Sequence, residues 1–255
     1  DIGSDVAALK TTAVKEGGQY VINGEKTSIS YTPAGKWMIT YAKTDPSAGS
    51  RGITVFMVPL DAKGVSEIPI KEPGWHPIGR SQIFLEDVRI PASYRVTEEG
   101  KGFYLGMRQL DIYRPLAILG SLGLAEDALE RTITYAKERF AFGHPIGHFQ
   151  GVAFDLVDTA ISLETTRLLC YEALWLLDVG SPSFTKISAM SKAYGAATAT
   201  KAIYDCAIIH GHYAYSEDYP FSRYLIDSFG NEFADGTYHI QKLIVARELL
   251  GKGII

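Results

Sequence analysis

The sequence predicts an α+β fold, in which an antiparallel β-barrel or sandwich precedes an antiparallel four-helix bundle. Up to residue 95, short β-branched and aromatic runs alternate with separators rich in Pro, Gly and Ser, and no helical pattern lies between them. From residue 102 onward, apolar residues instead recur at steps of three and four. We therefore predict a β domain over residues 1–95 and a helical domain over residues 96–255.

The β domain is predicted from runs at residues 20–22, 37–41, 53–58 and 82–90. The first run leads into Asn23-Gly24, and an Asn-Gly pair between such runs is a strong signal for a hairpin turn. Because the runs follow one another without a helix, we expect neighbouring strands to pair antiparallel.

The helical domain is predicted from three apolar stripes at residues 116–136, 152–177 and 187–209. Segments with turn-forming residues, at 143–147 and 179–182, separate them. A fourth helix is expected to start near Gly236, with Ile240, Leu243, Ile244 and Leu250 along one face. Long helices with short joins favour an antiparallel bundle.

Composition excludes several classes of function. The net charge of the 255 residues is −4, with acidic and basic residues interspersed, so no basic surface for nucleic acid or an anionic membrane is expected. Cys170 and Cys206 lie in apolar helical patterns and are predicted to be buried thiols. Apolar runs end well before the ~18 residues that a membrane span needs. His210 and His212 lack a third ligand, so no metal site is predicted.

The segment FADGT, residues 233–237, places the carboxylate of Asp235 beside a glycine at the start of the fourth helix. A backbone without Cβ allows a substrate carbon to approach closely, and a helix N-terminus can bind phosphate. The simpler alternative is that Asp235 is only the N-cap of this helix. The motifs around it favour a catalytic role.

These motifs resemble, in order along the chain, those of the acyl-CoA dehydrogenase family. They are DIGSD (1–5), YVINGEK (20–26), FLEDVRIP (84–91), DIYR (111–114), RFAFG (139–143) with Gln150, and Tyr219-Pro220, Arg223-Tyr224 and Asp227 before FADGT. Each match is weak alone, but the ordered set at family spacing is specific. DIGSD matches only the end of a longer family signature, so the chain is expected to be a fragment that lacks an N-terminal helical domain.

The resemblance implies an FAD-dependent oxidation of a carbon–carbon bond in a coenzyme A thioester. Asp235 stands where most of the family has a glutamate base, and aspartate there is similar to members that act on cyclic thioesters such as cyclohex-1-ene-1-carboxyl-CoA. Such a base works best when it is partly desolvated. Some relatives carry the base at the position of Tyr113, which is not a carboxylate, so the nearby Asp111 remains an alternative.

The resemblance also implies two sets of binding residues. Positions that contact the thioester in the family are matched by Ser4, Asp111, Arg114, Gly236 and Arg247. For Arg114, a surface ion pair with Asp111 is the structural alternative. Positions at the FAD site are matched by Ser28, Ser30, Arg139, Phe142, Gln150, Gly211, His212, Thr237 and His239. Arg139 and Gln150 match residues that reach the diphosphate of FAD in a neighbouring subunit, where a planar guanidinium binds two oxygens at once.

Several positions depart from the family pattern. Ser28 replaces an aromatic residue that would stack on the flavin, and Ile208 and His212 replace a glutamine and a glycine. These changes favour an alternative in which the chain is a non-enzymatic FAD-binding relative. A flavin-independent lyase or an acyl-carrier-protein oxidase is a third possibility.

The resemblance further implies partners and a location. One subunit completes the FAD site of another, so a homotetramer or homodimer is expected. An electron-transfer flavoprotein would accept the electrons. The cytoplasm of a bacterium is the expected location, or the mitochondrial matrix in a eukaryote.

Overall fold

The computed structural model describes residues 2–251 and 253–254; Asp1, the first residue of DIGSD, lies outside them. The α+β class is confirmed, because a six-stranded sheet precedes a set of long helices. Contacts divide the chain between Gln109 and Leu110 into a β unit and a helical unit.

The β unit contains a mixed sheet with the strand order β4-β3-β1-β2-β6-β5. The strands are β1 (Thr12–Glu16), β2 (Gln19–Ser30), β3 (Trp37–Lys43), β4 (Ile53–Pro59), β5 (Val65–Ile70) and β6 (Arg80–Pro91). Pairing is antiparallel except between β1 and β3, where Thr12 pairs with Lys43 in parallel. The apolar core of this unit includes Tyr20, Ile22, Phe56, Val58, Ile83 and Leu85.

The prediction of a turn at Asn23-Gly24 is wrong, because both residues lie inside β2. The register between β2 and β6 shifts at this point. The side chain of Asn23 bridges the irregularity, accepting a hydrogen bond of 2.8 Å from the backbone N–H of Asp87. A Cβ on Gly24 would lie 2.7 Å from Cα of Thr11. Close approach of a neighbouring backbone, rather than a hairpin, therefore explains the glycine.

The sequence patterns did not predict β1 and β5. The first is short and joins β2 through Gly17-Gly18, where Gly17 has φ +61°. The second contains Pro69 and lies at an edge of the sheet, which is the position where a strand tolerates proline.

The helical unit contains more helices than the predicted four. They are α1 (Gly102–Glu138, which starts in the β unit), α2 (Gln150–Asp178), α3 (Phe184–His210), α4 (Phe221–Phe233) and α5 (Tyr238–Leu250), and a hairpin of β7 (Phe140–Ala141) and β8 (His144–Pro145) separates α1 from α2. The three long stripes correspond to α1, α2 and α3. The additional helix is α4.

The helical core draws residues from α1 to α4, including Leu122, Leu129, Leu163, Ile203 and Phe221. Cys170 and Cys206 are buried and unpaired, as predicted, and burial raises their pKa values to about 12 and about 11. The predicted apolar face of α5 is only partly buried: Leu250 is exposed, and Gln241 is the buried residue. In the described part of the chain, no helix has both the length and the apolarity that a bilayer crossing requires.

Candidate active site

Asp235 lies in the turn between α4 and α5. Its backbone is left-handed, with φ +50°, and Gly236 follows with φ +93°. The N-cap of α5 is Thr237, whose hydroxyl accepts a hydrogen bond of 3.4 Å from the N–H of Ile240. Asp235 is therefore not the N-cap, and the simpler explanation for this carboxylate is wrong.

The carboxylate of Asp235 is exposed in the described chain. The sequence predicts a partly desolvated base at this position, and the described residues do not provide that desolvation. What they provide is a charged environment built from side chains that lie deeper in the helical unit.

One of these side chains is Arg114 on α1, which is only 4% exposed. Its guanidinium donates to the carboxylate of Asp111, and the hydroxyl of Thr185 donates to the other carboxylate oxygen at 2.7 Å. The predicted ion pair exists, but it is not on the surface. Burial lowers the pKa of Arg114, and the negative charges of Asp111 and Asp235 oppose this shift.

Two properties of the pair bear on chemistry. Nε of Arg114 is buried and has no hydrogen-bond partner among the residues that the structure describes. Both carboxylate oxygens of Asp111 already accept hydrogen bonds. Asp111 is thus less available as a base than the sequence allowed, while Tyr113 next to it is exposed.

A second buried cation, Lys192 on α3, was not predicted. It is 1% exposed, and its Nζ donates a hydrogen bond of 2.6 Å to the backbone carbonyl of Asn231 in α4. Burial lowers its pKa to about 8; the charges of Asp235 and Glu232 oppose the shift, and that of Arg114 adds to it. A sequence signal exists, because Lys192 stands among small residues on the buried face of α3.

Two buried amides complete the surroundings of the turn. Nδ2 of Asn231 donates to Oγ of Ser121 at 2.7 Å and to the carbonyl of Ala117 at 3.3 Å, both on α1. Nε2 of Gln241, on α5, donates to the carbonyl of Gly236 at 3.0 Å. A side chain at Gly236 would collide with this amide, since its Cβ would lie 2.7 Å from Nε2.

The hairpin after α1 carries several of the predicted FAD residues. Phe142 and Gly143 form its two-residue loop, with φ +51° and +84°, as a primed turn requires. The ring of Phe142 is 94% exposed. Arg139 is exposed just before the hairpin, and Gln150 is exposed at the first position of α2. The structure thus presents a guanidinium, an aromatic ring and an amide on neighbouring segments.

The remaining predicted residues of the helical unit are exposed at the end of α3 and on α5. Gly211 follows the end of α3 with φ +61°, and His212 is exposed beside it. His239 is exposed in the first turn of α5, and Arg247 is exposed near its end. Within the described ranges, no group of three or more His, Cys, Asp or Glu side chains could hold a metal ion.

In the β unit, Ser4, Ser28 and Ser30 are all exposed. Ser28 has φ +56° and lies where the pairing of β2 with β6 shifts between Lys26 and Ile29. Such bulges often re-aim side chains near binding sites.

Known proteins resemble the chain over most of its length. It is 38% identical over 252 residues to the caffeyl-CoA reductase-Etf complex subunit CarC of Acetobacterium woodii, and 34% identical over 249 residues to cyclohexane-1-carbonyl-CoA dehydrogenase of Geobacter metallireducens. These alignments cover 98% and 97% of the chain, but only 66% and 65% of the relatives.

The structure of butyryl-CoA dehydrogenase from Megasphaera elsdenii superposes with a TM-score of 0.93 at 33% identity, covering 97% of this chain and 65% of that one. The profile for the middle domain of acyl-CoA dehydrogenases matches residues 1–88, and the profile for their C-terminal domain matches residues 100–250. The chain therefore belongs to the acyl-CoA dehydrogenase family, whose members depend on FAD.

Proposed function

We propose that the chain acts in an FAD-dependent acyl-CoA dehydrogenase in which Asp235 removes a proton from the thioester. The observation that carries this proposal is the turn itself. Asp235 does not cap α5, and it is held in a left-handed conformation. Two buried cations, Arg114 and Lys192, interact with its charge. Residues held in uncommon backbone conformations cluster at functional sites.

In the proposed reaction, the carboxylate of Asp235 accepts the proton of the α-carbon of a saturated thioester, or a more distant acidic proton when the substrate is a cyclic enoyl thioester. When bound, FAD supplies the acceptor for the hydride that leaves the β-carbon. The two electrons of the broken α C–H bond form the new carbon–carbon double bond, so the product is an enoyl thioester. A thioester bound against Asp235 would also exclude water from the base and strengthen its electrostatic interactions.

Arg114 supports this assignment through its unpartnered Nε, because an acceptor from a bound thioester would satisfy a buried donor that costs about 1–3 kcal/mol when left unpaired. The roles of Ser4, Gly236 and Arg247 in thioester binding rest on their positions in the family motifs. For Gly236, the space occupied by Gln241 gives a second reason for the glycine.

A cyclic thioester is our preferred substrate class. Aspartate has one methylene less than glutamate, so the substrate carbon must come closer to the backbone, and aspartate at this position resembles the family members that act on cyclic thioesters. The Geobacter metallireducens relative is a cyclohexane-1-carbonyl-CoA dehydrogenase, which agrees with this choice.

For FAD, we propose that Arg139 and Gln150 bind the diphosphate, that Phe142 packs beside it and that His239 lies near the adenine. Gly211, His212 and Thr237 would contribute to the same cofactor site. The exposure of the first three residues on one hairpin and the adjoining helix start supports this assignment. Ser28 and Ser30 would contact the flavin edge; Ser28 lies in the bulge of β2, and Ser30 follows it as the last residue of the strand.

An apolar stripe along α2 supports assembly into a homodimer or homotetramer. Its exposed members are Phe154, Val157, Ile161, Leu168, Tyr171 and Trp175. Exposed apolar residues that recur along one face of a helix are typical of an interface. The CarC relative belongs to a complex with Etf, which supports an electron-transfer flavoprotein as acceptor. Both named relatives are bacterial, which favours the bacterial cytoplasm over the mitochondrial matrix.

The test is Asp235→Asn in the enzyme expressed from its complete reading frame. We expect normal flavin content and no anaerobic bleaching of the flavin by a panel of straight-chain and cyclic acyl-CoA thioesters. Asparagine also tolerates the left-handed backbone, so the fold should survive. Glu232→Gln removes a nearby carboxylate on α4 and should bleach normally. Bleaching by the Asn variant at the wild-type rate would remove Asp235 from the base role.

A second candidate is an FAD-binding relative without enzymatic activity. It is favoured by Ser28, which offers no aromatic ring, and by His212 in place of a glycine. In that case, the wild-type protein would hold flavin that no thioester in the panel bleaches.

A further inference from the structure

The hydrogen bond from Lys192 to Asn231 joins the interior of the helical unit to the end of α4, just before Asp235. From this we propose that Lys192 is a positioning residue, which fixes the last turn of α4 and thereby aims the carboxylate of Asp235. The inference rests on the proposed function and extends it to a residue that does not touch the substrate.

The bond satisfies a need of the helix end. The last carbonyls of a helix have no intrahelical donor, and a cation near them is favourable. Lys192 reaches the carbonyl of Asn231 from the neighbouring α3, and α4 then ends at Phe233. A charged donor forms a stronger hydrogen bond than a neutral one. The end of α4 is thus fixed from inside the protein.

Asn231 is bound on its other side as well. Its amide donates to Ser121 and to Ala117 on α1. Beyond Asp235, Gln241 binds the carbonyl of Gly236. The backbone that carries the base is therefore held before and after it by buried polar side chains from three helices.

Fixing the backbone on both sides of the base matters more for aspartate than for a longer side chain. The short arm of Asp235 has little freedom to correct a displaced backbone, and a misplacement of about 1 Å can slow a reaction by about 100-fold. Its left-handed backbone, moreover, persists only where the surroundings hold it.

The identity of Lys192 fits this role better than simple packing. Burying an ammonium group is costly, and an apolar side chain of similar length would fill the space at lower cost. Lys192 instead supplies both a donor for α4 and a positive charge that interacts with Asp235.

The test compares Lys192→Met with Ser228→Ala in the FAD-loaded enzyme from the complete reading frame. Methionine preserves length and removes donor and charge. Ser228 joins the same two helices through a 3.0 Å hydrogen bond to Thr200, earlier along α4, so it is the matched control.

In the Met variant, we expect anaerobic bleaching at saturating thioester to slow at least about tenfold, with the half-saturating concentration changed less than about threefold, because positioning acts on the reaction step. The control should stay within about twofold of the wild type. Bleaching of the Met variant at the wild-type rate would overturn the proposal.

Amide hydrogen exchange over residues 230–240 tests the same idea without any substrate. It should be faster in Lys192→Met and unchanged in Ser228→Ala. Unchanged exchange in the Met variant overturns the positioning role. The exchange result and the proposed function can fail separately. If exchange is faster in the Met variant but no thioester bleaches the flavin of the wild type, the positioning role is supported and only the proposed function is overturned. If the Met variant fails to fold, Lys192→Leu, which also removes both the donor and the charge, undergoes both measurements with the same deciding outcomes.

Discussion

The hydroxyl of Ser188 on α3 donates a hydrogen bond to the backbone carbonyl of Asp111 on α1. In an uninterrupted helix, this carbonyl would accept from the N–H of residue 115, but residue 115 is proline and has no N–H. Thus α3 supplies the donor that α1 lacks. Because Asp111 also binds Arg114, this bond helps to fix the buried cation of the candidate site.

The partnership between Ser188 and Pro115 can be measured. Ser188→Ala should lower the free energy of unfolding by about 1–3 kcal/mol, because it leaves the Asp111 carbonyl unpaired. Pro115→Ala restores an N–H, so the same serine change should cost at least about 1 kcal/mol less in that background. Urea unfolding of the four proteins in this cycle gives the coupling.

A control for this cycle is Thr198→Val, since the Thr198 hydroxyl donates to the carbonyl of Tyr194 within α3, and this bond is exposed. Its effect should stay within about 0.5 kcal/mol. An equal cost of Ser188→Ala in the wild type and in the Pro115→Ala background would contradict the partnership.

Arg139→Ala should weaken FAD retention at least about tenfold, because a charge-assisted contact to a phosphate typically contributes about 1.5–3 kcal/mol. If the diphosphate is shared between subunits, the assembly should loosen as well. Equilibrium dialysis measures the first effect and sedimentation the second. Arg131→Ala, another exposed arginine that pairs with Asp127 on α1, should change neither. Retention equal to that of the wild type would remove Arg139 from the FAD site.

Ile161→Glu should dissociate the oligomer, because it places a charge in the middle of the apolar stripe on α2. We expect the subunit dissociation constant to rise at least about tenfold, as burying an unpaired charge is costly. Val14→Glu makes a similar change at an exposed apolar residue of β1 and should leave the assembly intact. Analytical ultracentrifugation distinguishes them, and an unchanged mass for Ile161→Glu would contradict this interface.

Lys192 should make stability depend on alkaline pH. Burial lowers its pKa to about 8, against an ordinary value of 10.5. Between these values, the unfolded chain binds more protons than the folded one, so stability rises as the pH increases through this window. Relative to Lys192→Met, the free energy of unfolding of the wild type should rise by up to about 3 kcal/mol from pH 8 to 10.5. The exposed Lys201, replaced by Met, should show no such rise; a flat difference for Lys192 would refute the assignment.

The sequence was most informative where periodicity is long. The stripes that predicted α1, α2 and α3 extend over many turns, so local exceptions did not obscure them. The turn predicted at Asn23-Gly24 was wrong because the same Asn-Gly pair occurs in hairpin turns and at positions where a neighbouring backbone comes close to a glycine. The helix α4 is short, and its buried positions hold Ser228, Gly230 and Asn231 beside Phe221, so it was not recognised as a separate helix.

In the candidate site, too, some residues could be predicted from the sequence and others could not. Motif order identified Asp235, Arg114 and Asp111, because it preserves residue type and spacing. The roles of Lys192 and Gln241 were not predicted, because a lysine or glutamine in a helix is normally exposed to solvent. Only the tertiary arrangement shows that these side chains point inward and bind backbone carbonyls on either side of the turn.

The left-handed bend at Asp235 links the choice of acid to the shape of the chain. Aspartate tolerates this conformation better than most residues, and glutamate lacks that tolerance. Replacing Asp235 by glutamate would therefore move the carboxylate further from the backbone and strain the left-handed backbone at this position. A variant with glutamate at position 235 therefore needs a different backbone conformation at residues 234–236 before the side chain is exchanged.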